Sequence, residues 1–469
     1  MLLPMKLFLL FATFLCAAAL RIPAATPAAR PNLVLILADD CTKADTELYG
    51  GQAKTPNLMR LAREGMTFTQ CFQAAPTCSP TRHALYTAKY PVKTGAHPNH
   101  TFVKPGVTSV AQWLKSAGYR AAISGKTHIN PPEAFPFEYL SENSISPEKR
   151  HTTNPDFAAV EKFLGDCAKS AKPFGLLLCS NEPHSPWDKG DASAYPPERL
   201  TLPPIFVDTP ATRSDYSKYL AEITYFDGQV GEALALIDKL GLRDNTVVIV
   251  LTEQGNSFPY AKWTCYDAGV GSGLVVRWPG RAKAGSTSDA LVEYIDMVPT
   301  FFEAAGLPLP NDLDGKSFLP VLTGRANRHK THVFALQTTR GIIAGPEYYG
   351  IRTVRDARHR YIVNLTPEAT FKNAATNQES FKEWRAAAQA GDANAVRLTR
   401  NYQHRPSEEL YDCVTDPWNQ QNLIADPKHA ATVAALRRQL AQWMEAQGDR
   451  GQETEMTALD RVWKKGDPK

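Results

Sequence analysis

The chain has 469 residues, of which 43% are hydrophobic and 21% are charged, so it is too long for one simple core and has an ordinary globular composition. Its net charge of +4 combines 52 basic with 48 acidic residues and includes no polybasic arm, which excludes the strongly basic class of nucleic-acid-binding proteins. We therefore expect two domains and no nucleic-acid partner.

The N-terminus is typical of a secretory signal peptide. Lys6 precedes an apolar run over residues 7–20, with small residues at 17–19 and again at 24–25. The run is too short to span a bilayer, and no other segment is long and apolar enough, so we expect no stable membrane insertion. We predict a signal peptide over residues 1–25 and an exported protein, periplasmic or extracellular in a bacterium and lysosomal or secreted in a eukaryote.

Four short apolar runs are typical of buried parallel strands, and helical stretches separate them. This alternation predicts an α/β fold with a largely parallel sheet. The predicted strands cover residues 32–37, 119–123, 174–179 and 246–251, and the predicted helices begin near Thr55, Ser109 and Ser214.

Polar side chains follow each of these four strands. Each has a simple explanation on its own, such as a helix cap or a solvated face. Together they favour a functional site, because the binding crevice of a parallel sheet lies beyond the carboxyl ends of its strands. The residues are Asp39, Asp40, Lys126, His128, His184, Glu253 and Gln254.

The segment from Cys78 to Arg82, Cys-Ser-Pro-Thr-Arg, predicts a nucleophile that faces an oxyanion such as sulfate or phosphate. Pro80 suits the first position of a helix, which places Cys78 just ahead of free N–H groups that favour an anion. Arg82 lies four residues after Cys78, near the same face, and its guanidinium can hold the same anion through two N–H groups. A buried or disulfide-bonded cysteine is the alternative.

Seven cysteines would remain in the mature chain. Export permits disulfides, but an odd number leaves at least one cysteine unpaired. We expect Cys78 to be that one, and the pairing of the others stays open. The seven are Cys41, Cys71, Cys78, Cys167, Cys179, Cys265 and Cys413.

The Cys-x-Pro-Thr-Arg motif resembles the signature of the formylglycine-dependent sulfatases. Further family motifs follow in the same order, and the resemblance extends from about residue 30 to residue 447. They are Gly-Lys-x-His at residues 125–128, Pro-His-x-Pro at residues 183–186 and a lysine at position 262. The resemblance implies an alkaline-phosphatase-like catalytic domain over residues 30–330, with a mainly parallel central sheet flanked by helices. It also implies a smaller C-terminal α+β domain over residues 331–469, with an antiparallel sheet.

The resemblance also implies the cofactors of the site. In the family, the cysteine that corresponds to Cys78 is oxidised to Cα-formylglycine by a formylglycine-generating enzyme, and the hydrated aldehyde is the nucleophile. One calcium ion would lie beside it. The implied metal ligands are Asp39, Asp40, Cys78 in its modified form, Glu253 and Gln254.

The remaining motif residues receive roles from the same resemblance. Arg82, Lys126 and Lys262 would offset the negative charge of the sulfate group. His184, with Lys262, would protonate the departing oxygen or nitrogen, and His128 would accept the proton that is released when sulfate is expelled.

Two features of the sequence bear on the substrate and the metal. Glu253-Gln254 stands where the family usually has Asp followed by Asn or His, and the longer side chains keep the same oxygen donors, which calcium tolerates. Segments 126–131, 256–259 and 359–365 are closest to the sulfamidase branch, which removes N-sulfate from glucosamine in heparan sulfate. An O-sulfatase acting on another sulfated polysaccharide is the alternative.

Two other functions compete with a sulfatase. A phosphatase or phosphodiesterase of the same superfamily would use Ser or Thr with two metal ions, which the cysteine motif disfavours. A non-catalytic protein that binds sulfated glycans is supported only by the altered pair Glu253-Gln254.

The C-terminal third predicts hairpin strands at residues 349–355 and 360–363 and a helix over residues 430–444. The polar segment 366–406 is interpreted as either a loop that lines the substrate cleft or a surface insertion, with the insertion favoured. Arg358, His359 and Arg405 are candidate glycan contacts.

Overall fold

The computed structural model describes residues 30–146, 149–338 and 348–462. Within these ranges the chain forms a large sheet flanked by helices and a smaller antiparallel sheet. The predicted signal peptide, residues 1–25, lies outside the described residues. In the part of the chain that is described, no helix is long and apolar enough to cross a membrane.

The large sheet contains nine strands, and its centre is parallel, as predicted. The strands are β1 Asn32–Leu37, β2 Met66–Phe72, β3 Arg120–Gly125, β4 Glu138–Tyr139, β5 Phe174–Cys179, β6 Thr246–Leu251, β7 Gly271–Arg277, β8 Ser286–Ser288 and β9 Val292–Glu293. Their order is β4-β3-β5-β1-β6-β7-β2-β8, and β9 also pairs with β2. β1 is parallel to β5 and β6, whereas β7 is antiparallel to β6 and β2, which the sequence analysis did not predict.

The central strand β1 shows why the predicted strands are apolar at every position. Val34 and Ile36 belong to one hydrophobic core, and Leu33, Leu35 and Leu37 belong to another. Successive side chains of a strand point to opposite faces of the sheet. A strand that is covered on both faces therefore needs a continuous apolar run rather than an alternating one.

Helices cover both faces of the large sheet and one face of the smaller sheet. In the described residues they are α1 Pro56–Glu64, α2 Cys78–Thr87, α3 Pro91–Thr94, α4 Val110–Ser116, α5 Phe157–Ser170, α6 Pro210–Lys239, α7 Asp267–Val270, α8 Met297–Ala304, α9 Leu319–Leu322, α10 Glu379–Gln389, α11 Ala393–Gln403, α12 Ala430–Gln447 and α13 Gln452–Met456.

Helix α2 begins two residues earlier than predicted. Thr77 is its N-cap and Cys78 its first residue, so Pro80 is the third helical residue rather than the first. The first four N–H groups of a helix have no partner inside it, so the missing N–H of proline removes no helical hydrogen bond there. Cys78 therefore lies within the first turn rather than just ahead of it.

The smaller sheet has four antiparallel strands in sequence order, β10 Val333–Gln337, β11 Ile351–Arg355, β12 His359–Asn364 and β13 Glu408–Asp412. Helix α12 packs on it, since Leu436 and Trp443 share a hydrophobic cluster with Val354 and Tyr361. This is the antiparallel α+β region expected in the C-terminal part of the chain. The domain boundary between residues 330 and 331 stays a prediction.

The polar segment 366–406 contains a helical hairpin, α10 and α11. Phe381, Trp384 and Leu398 are buried in the same core as α6. Trp384 Nε1 donates a hydrogen bond to Thr212 Oγ1 at 2.8 Å, and Tyr260 donates to the carbonyl oxygen of Leu398 at 2.7 Å. The hairpin is therefore packed against α6 and the loop that holds Tyr260 through one apolar side, although its overall composition is polar.

All seven described cysteines are buried and unpaired. The disulfides that an exported protein permits are therefore not formed among the described residues. Cys78 is free, as expected, but it shares this state with the other six.

Candidate active site

The carboxyl ends of four parallel strands and the first turn of helix α2 meet at one site. The turns after β1, β3, β5 and β6 supply the polar residues that the sequence analysis identified, and Lys262 comes from the loop before α7. His184 is half-buried, and every other member is buried. The members are Asp39, Asp40, Cys78, Arg82, Lys126, His128, His184, Glu253, Gln254 and Lys262.

Cys78 lies in the middle of this cluster. Its thiol donates a hydrogen bond to Asp39 Oδ1 at 3.3 Å, and Gln254 Nε2 donates to its sulfur at 3.1 Å. Burial, together with the charge of Asp39, raises the pKa of Cys78 to about 12. The side chain is therefore a protonated thiol at neutral pH, which is a poor nucleophile.

The three cations of the site are paired with its three carboxylates. The two members of each pair come from different elements, and all six side chains are buried. Burial of such charges is tolerated because each has an opposite charge in contact with it. Lys126 contacts Asp39, Lys262 Nζ lies 2.7 Å from Asp40 Oδ2, and Arg82 contacts Glu253 and donates to the carbonyl oxygen of Lys126 at 2.7 Å.

These ion pairs shift the acidity of the carboxyl groups in different directions. Burial alone would raise the pKa of Asp39, but the charges of Lys126 and Arg82 lower it below its ordinary value. Burial raises the pKa of Glu253 to about 8; the attraction of Arg82 opposes this rise and the repulsion from Asp39 adds to it. A carboxyl group crowded in this way is one that a divalent cation would stabilise as the anion.

The oxygen atoms of the cluster fit a hard metal ion. Gln254 Oε1 is buried and accepts no hydrogen bond from the described residues, and the buried Asp39 Oδ2 faces the charges of Lys126 and Arg82. Ligand atoms of Asp39, Cys78 and Glu253 lie within 4.8 Å of one another, as do those of Asp40, Cys78 and His184. Carboxylate and amide oxygens are the donors that calcium prefers.

His184 lies at the open side of the site. Its Nδ1 is 2.6 Å from the carbonyl oxygen of Ser185, which can only accept, so the ring proton of the neutral form is on Nδ1. Its Nε2 lies 3.7 Å from Asp40 Oδ2. Partial burial and the charge of Lys126 lower the pKa of His184 to about 4.

Several side chains that contact the site residues were not predicted from the sequence, among them His100, Ser257 and His151, whose ring packs on that of His128. His100 Nδ1 lies 2.9 Å from His128 Nε2, and Ser257 Oγ donates to Asp40 Oδ2 at 2.6 Å. Ser257 lies three residues after Gln254, so its position next to the proposed metal ligands could have been predicted from the sequence. His100 lies in a loop without periodic pattern, and no local signal connects it with His128.

The candidate glycan contacts in the C-terminal part lie apart from this cluster. Arg358 and His359 line a separate cavity of about 750 Å³. Arg405 is buried, lies 3.3 Å from Glu409 and stacks on Tyr266 at 4.5 Å from the ring centroid. The prediction that Arg405 contacts a glycan is wrong, because its guanidinium is enclosed by the protein's own side chains.

Family models match most of the chain. The sulfatase family model matches residues 31–307, and the model of the C-terminal part of N-sulphoglucosamine sulphohydrolase matches residues 255–372. An ulvan-active sulfatase of Formosa agariphila is 31% identical over 428 residues, which cover 90% of this chain and 81% of that protein. Human N-sulphoglucosamine sulphohydrolase is 29% identical over 465 residues, which cover 88% of this chain and 90% of that protein.

Solved structures share the fold. A protein bound to its substrate D-glucosamine-2-N,6-O-disulfate matches with a TM-score of 0.68 at 19% identity, over 90% of this chain and 99% of that chain. A phosphonate monoester hydrolase from Silicibacter pomeroyi matches with a TM-score of 0.65 at 18% identity, over 90% of this chain and 96% of that chain. Proteins with sulfur and with phosphorus substrates share this fold, so the fold alone does not choose between the two chemistries.

Proposed function

This chain belongs to the sulfatase family and is a sulfuric ester or sulfamate hydrolase, and we propose that it removes sulfate groups from a sulfated glycan by means of a formylglycine at Cys78 and one calcium ion. The observation that supports this most directly is the position of Cys78 between Asp39 and Gln254, in contact with both. A nucleophile precursor, oxygen ligands and buried cations then share one site.

The two cofactors complement what the unmodified chain lacks. The formylglycine would supply an oxygen nucleophile in place of a thiol whose pKa is raised by burial to about 12. Calcium, held by Asp39, Asp40, Glu253 and Gln254 beside the modified residue, would supply Lewis acidity and orient the sulfate group.

The charge of the cluster suits a sulfate group. In their ionised forms its three carboxylates and three cations cancel, so a bound divalent cation would leave a net positive site. Arg82, Lys126 and Lys262 would then each be close enough to attract sulfuryl oxygens while they remain paired with carboxylates. Fixed charges of this kind stabilise the charge that develops as the S–O or S–N bond breaks.

His184 would protonate the departing oxygen or nitrogen through Nε2. This nitrogen faces Asp40 and lies at the half-buried side of the site, where the leaving group can approach. Burial and Lys126 lower the pKa of His184 to about 4 in the free protein, and an anionic substrate next to it would favour the protonated form. Lys262, which contacts Asp40, would assist.

His128 would accept the proton that is released when sulfate is expelled. Burial lowers the pKa of His128 well below its ordinary value, so the ring is neutral and has a free lone pair at neutral pH. A neutral imidazole next to Lys126 is suited to accept a proton and unsuited to remain charged.

The proposed substrates are N-sulfoglucosamine in heparan-type glycans and, as the alternative, an O-sulfated polysaccharide. The match to the C-terminal model of N-sulphoglucosamine sulphohydrolase supports the first. The 31% identity with an ulvan-active sulfatase supports the second. The predicted signal peptide further supports an exported enzyme, which meets such glycans outside the cytoplasm.

The proposal is tested on protein that is co-expressed with a formylglycine-generating enzyme and exported. Peptide mass spectrometry should show a loss of about 18 Da at Cys78, as replacement of the thiol by an aldehyde oxygen requires. Sulfate release is then measured from N-sulfoglucosamine and from O-sulfated oligosaccharides that include ulvan fragments. Phosphate release from an aryl phosphate serves as the comparison.

The control variant is Cys78→Ala, which should bind the sulfated ligand and release no sulfate. Sulfate release by Cys78→Ala at the rate of the original protein would contradict the proposed mechanism. An unmodified thiol, with binding but no turnover, would favour the glycan-binding alternative, and faster release of phosphate than of sulfate would favour a phosphatase.

A further inference from the structure

Three histidine rings lie together beside Lys126, and two of them have no role in the chemistry above. The rings of His100, His128 and His151 are mutually in contact, with centroids 4.6 Å apart for His100 and His128, 4.4 Å for His128 and His151, and 5.7 Å for His100 and His151. Within this group, His100 Nδ1 and His128 Nε2 are hydrogen-bonded at 2.9 Å.

The main chain around His128 is fixed without any help from His100. The N–H of Thr127 donates to the carbonyl oxygen of Arg150 at 3.0 Å, and the N–H of Asn130 donates to His83 Nε2 at 3.0 Å. His128 itself has a φ of +49°, in the left-handed region that costs energy for a residue with a Cβ. These contacts fix where the side chain of His128 starts, but they leave its ring free to rotate.

The ring of His128 has one partnered and one unpartnered nitrogen. Nδ1 is buried and has no hydrogen-bond partner among the described residues. In a neutral imidazole one nitrogen carries the proton and the other accepts. A buried N–H without an acceptor is rarer in proteins than a buried acceptor without a donor, so the proton belongs on Nε2 and the lone pair on Nδ1.

We propose that His100 is a positioning residue for His128, whose Nε2–H donates to His100 Nδ1, so that Nδ1 of His128 is held as the proton-accepting nitrogen. The inference rests on the proposed function, in which His128 accepts a proton. His151 packs against the same ring and limits its rotation. His100 acts through His128 and needs no contact with the substrate.

The test compares two substitutions at one position. His100→Asn places a side-chain oxygen near the position of Nδ1 and keeps an acceptor, whereas His100→Leu keeps similar bulk and removes it. The readout that needs no turnover is NMR of protein labelled with ¹⁵N-histidine, in which the His128 signals are assigned by their loss in His128→Gln. We expect a protonated Nε2 of His128 in the original protein and in His100→Asn, and loss of this single tautomer in His100→Leu.

The kinetic readout follows from the same hydrogen bond. We expect kcat to fall at least about tenfold in His100→Leu with KM little changed, and to stay within about threefold in His100→Asn. His332→Leu, which removes a half-buried imidazole outside the site, should leave kcat unchanged.

Two results would overturn the inference: the same Nε2-protonated signal of His128 in His100→Leu as in the original protein, or equal kcat values in both. If His100→Leu does not fold, His100→Asn still decides, because loss of the Nε2 proton in that variant contradicts an acceptor role. A protein that releases no sulfate would instead contradict the proposed function, and the NMR comparison would still decide the role of His100.

Discussion

At the scale of single residues, the charged side chains of the site hold one another in place. Lys262 lies 2.7 Å from Asp40, Lys126 contacts Asp39, and all four side chains are buried. Removing one member of such a pair leaves an uncompensated charge in a low-dielectric interior, which typically costs about 3–5 kcal/mol. A loss of activity after substitution of these residues is therefore informative only when the stability of the variant is measured beside it.

The proposed calcium site includes Gln254 where the family usually has Asn or His, and substitution tests the role of this residue. We expect Gln254→Leu to lower calcium affinity at least about tenfold, because the variant keeps the bulk of the side chain and loses the oxygen donor. The measurement is the rise in unfolding temperature on adding calcium to chelator-treated protein, since a ligand that binds only the folded state stabilises it.

Gln447→Leu is the matched control, because Gln447 lies near the end of helix α12, away from the site, and should leave the calcium effect intact. An equal calcium-induced rise in Gln254→Leu and in the original protein would show that Gln254 is not a ligand.

At the scale of elements, His83 connects helix α2 to the loop that holds Lys126 and His128. Its Nδ1 lies 2.7 Å from the carbonyl oxygen of Ser79, and its Nε2 accepts a hydrogen bond from the N–H of Asn130. Burial lowers the pKa of His83 from 6.5 to about 4. Protonation of the ring would remove the acceptor for Asn130 and place a charge inside the protein.

The stability contributed by His83 should therefore fall as the solution becomes more acidic. Below pH 6.5 the unfolded chain takes up a proton at His83 while the folded protein does not until about pH 4, so unfolding is favoured in this window. Between pH 6.5 and pH 5 the loss is about 2 kcal/mol. Urea unfolding of the original protein and of His83→Asn should show a smaller difference at pH 5 than at pH 7. An equal difference at both pH values would contradict this.

Trp384 is the largest side chain through which the helical hairpin α10–α11 packs against α6. We expect Trp384→Ala to lower the free energy of unfolding by about 3–5 kcal/mol, because it leaves a cavity in the core. Trp384→Phe keeps most of the packing and loses the hydrogen bond to Thr212. We therefore expect the lost hydrogen bond to lower the free energy of unfolding by about 1 kcal/mol, in addition to the effect of the smaller ring. Both values come from urea unfolding, and a value for Trp384→Ala below that for Trp384→Phe would contradict the proposed packing role.

At the scale of the whole molecule, the protein should be stable without disulfides. All seven described cysteines are unpaired, so a reducing agent should leave the unfolding temperature unchanged. Thiol titration in denaturant should give six thiols in mature protein if Cys78 alone is converted to formylglycine, and seven if it is not. A lower unfolding temperature in the presence of a reductant, or fewer than six thiols, would indicate disulfides.

The sequence by itself determined the central architecture and the chemical groups of the site. β1 and β6 are predictable because a strand covered on both faces must be apolar throughout, and this pattern is local. The polar residues that follow these strands, such as Asp39 and Glu253, are predicted to converge because parallel strands end at one edge. Both inferences need only short segments and a general property of sheets.

The tertiary structure decided which of these groups contact one another. Arg82 and Glu253 are 171 positions apart in the sequence, and His100 and His128 are 28 positions apart. No local pattern in the sequence connects the members of either pair. The antiparallel direction of β7, the hairpin that buries Trp384 and the unpaired cysteines likewise depend on how distant elements pack. Local propensity fixes an element through neighbouring residues, whereas a contact between distant residues exists only once the whole chain has packed.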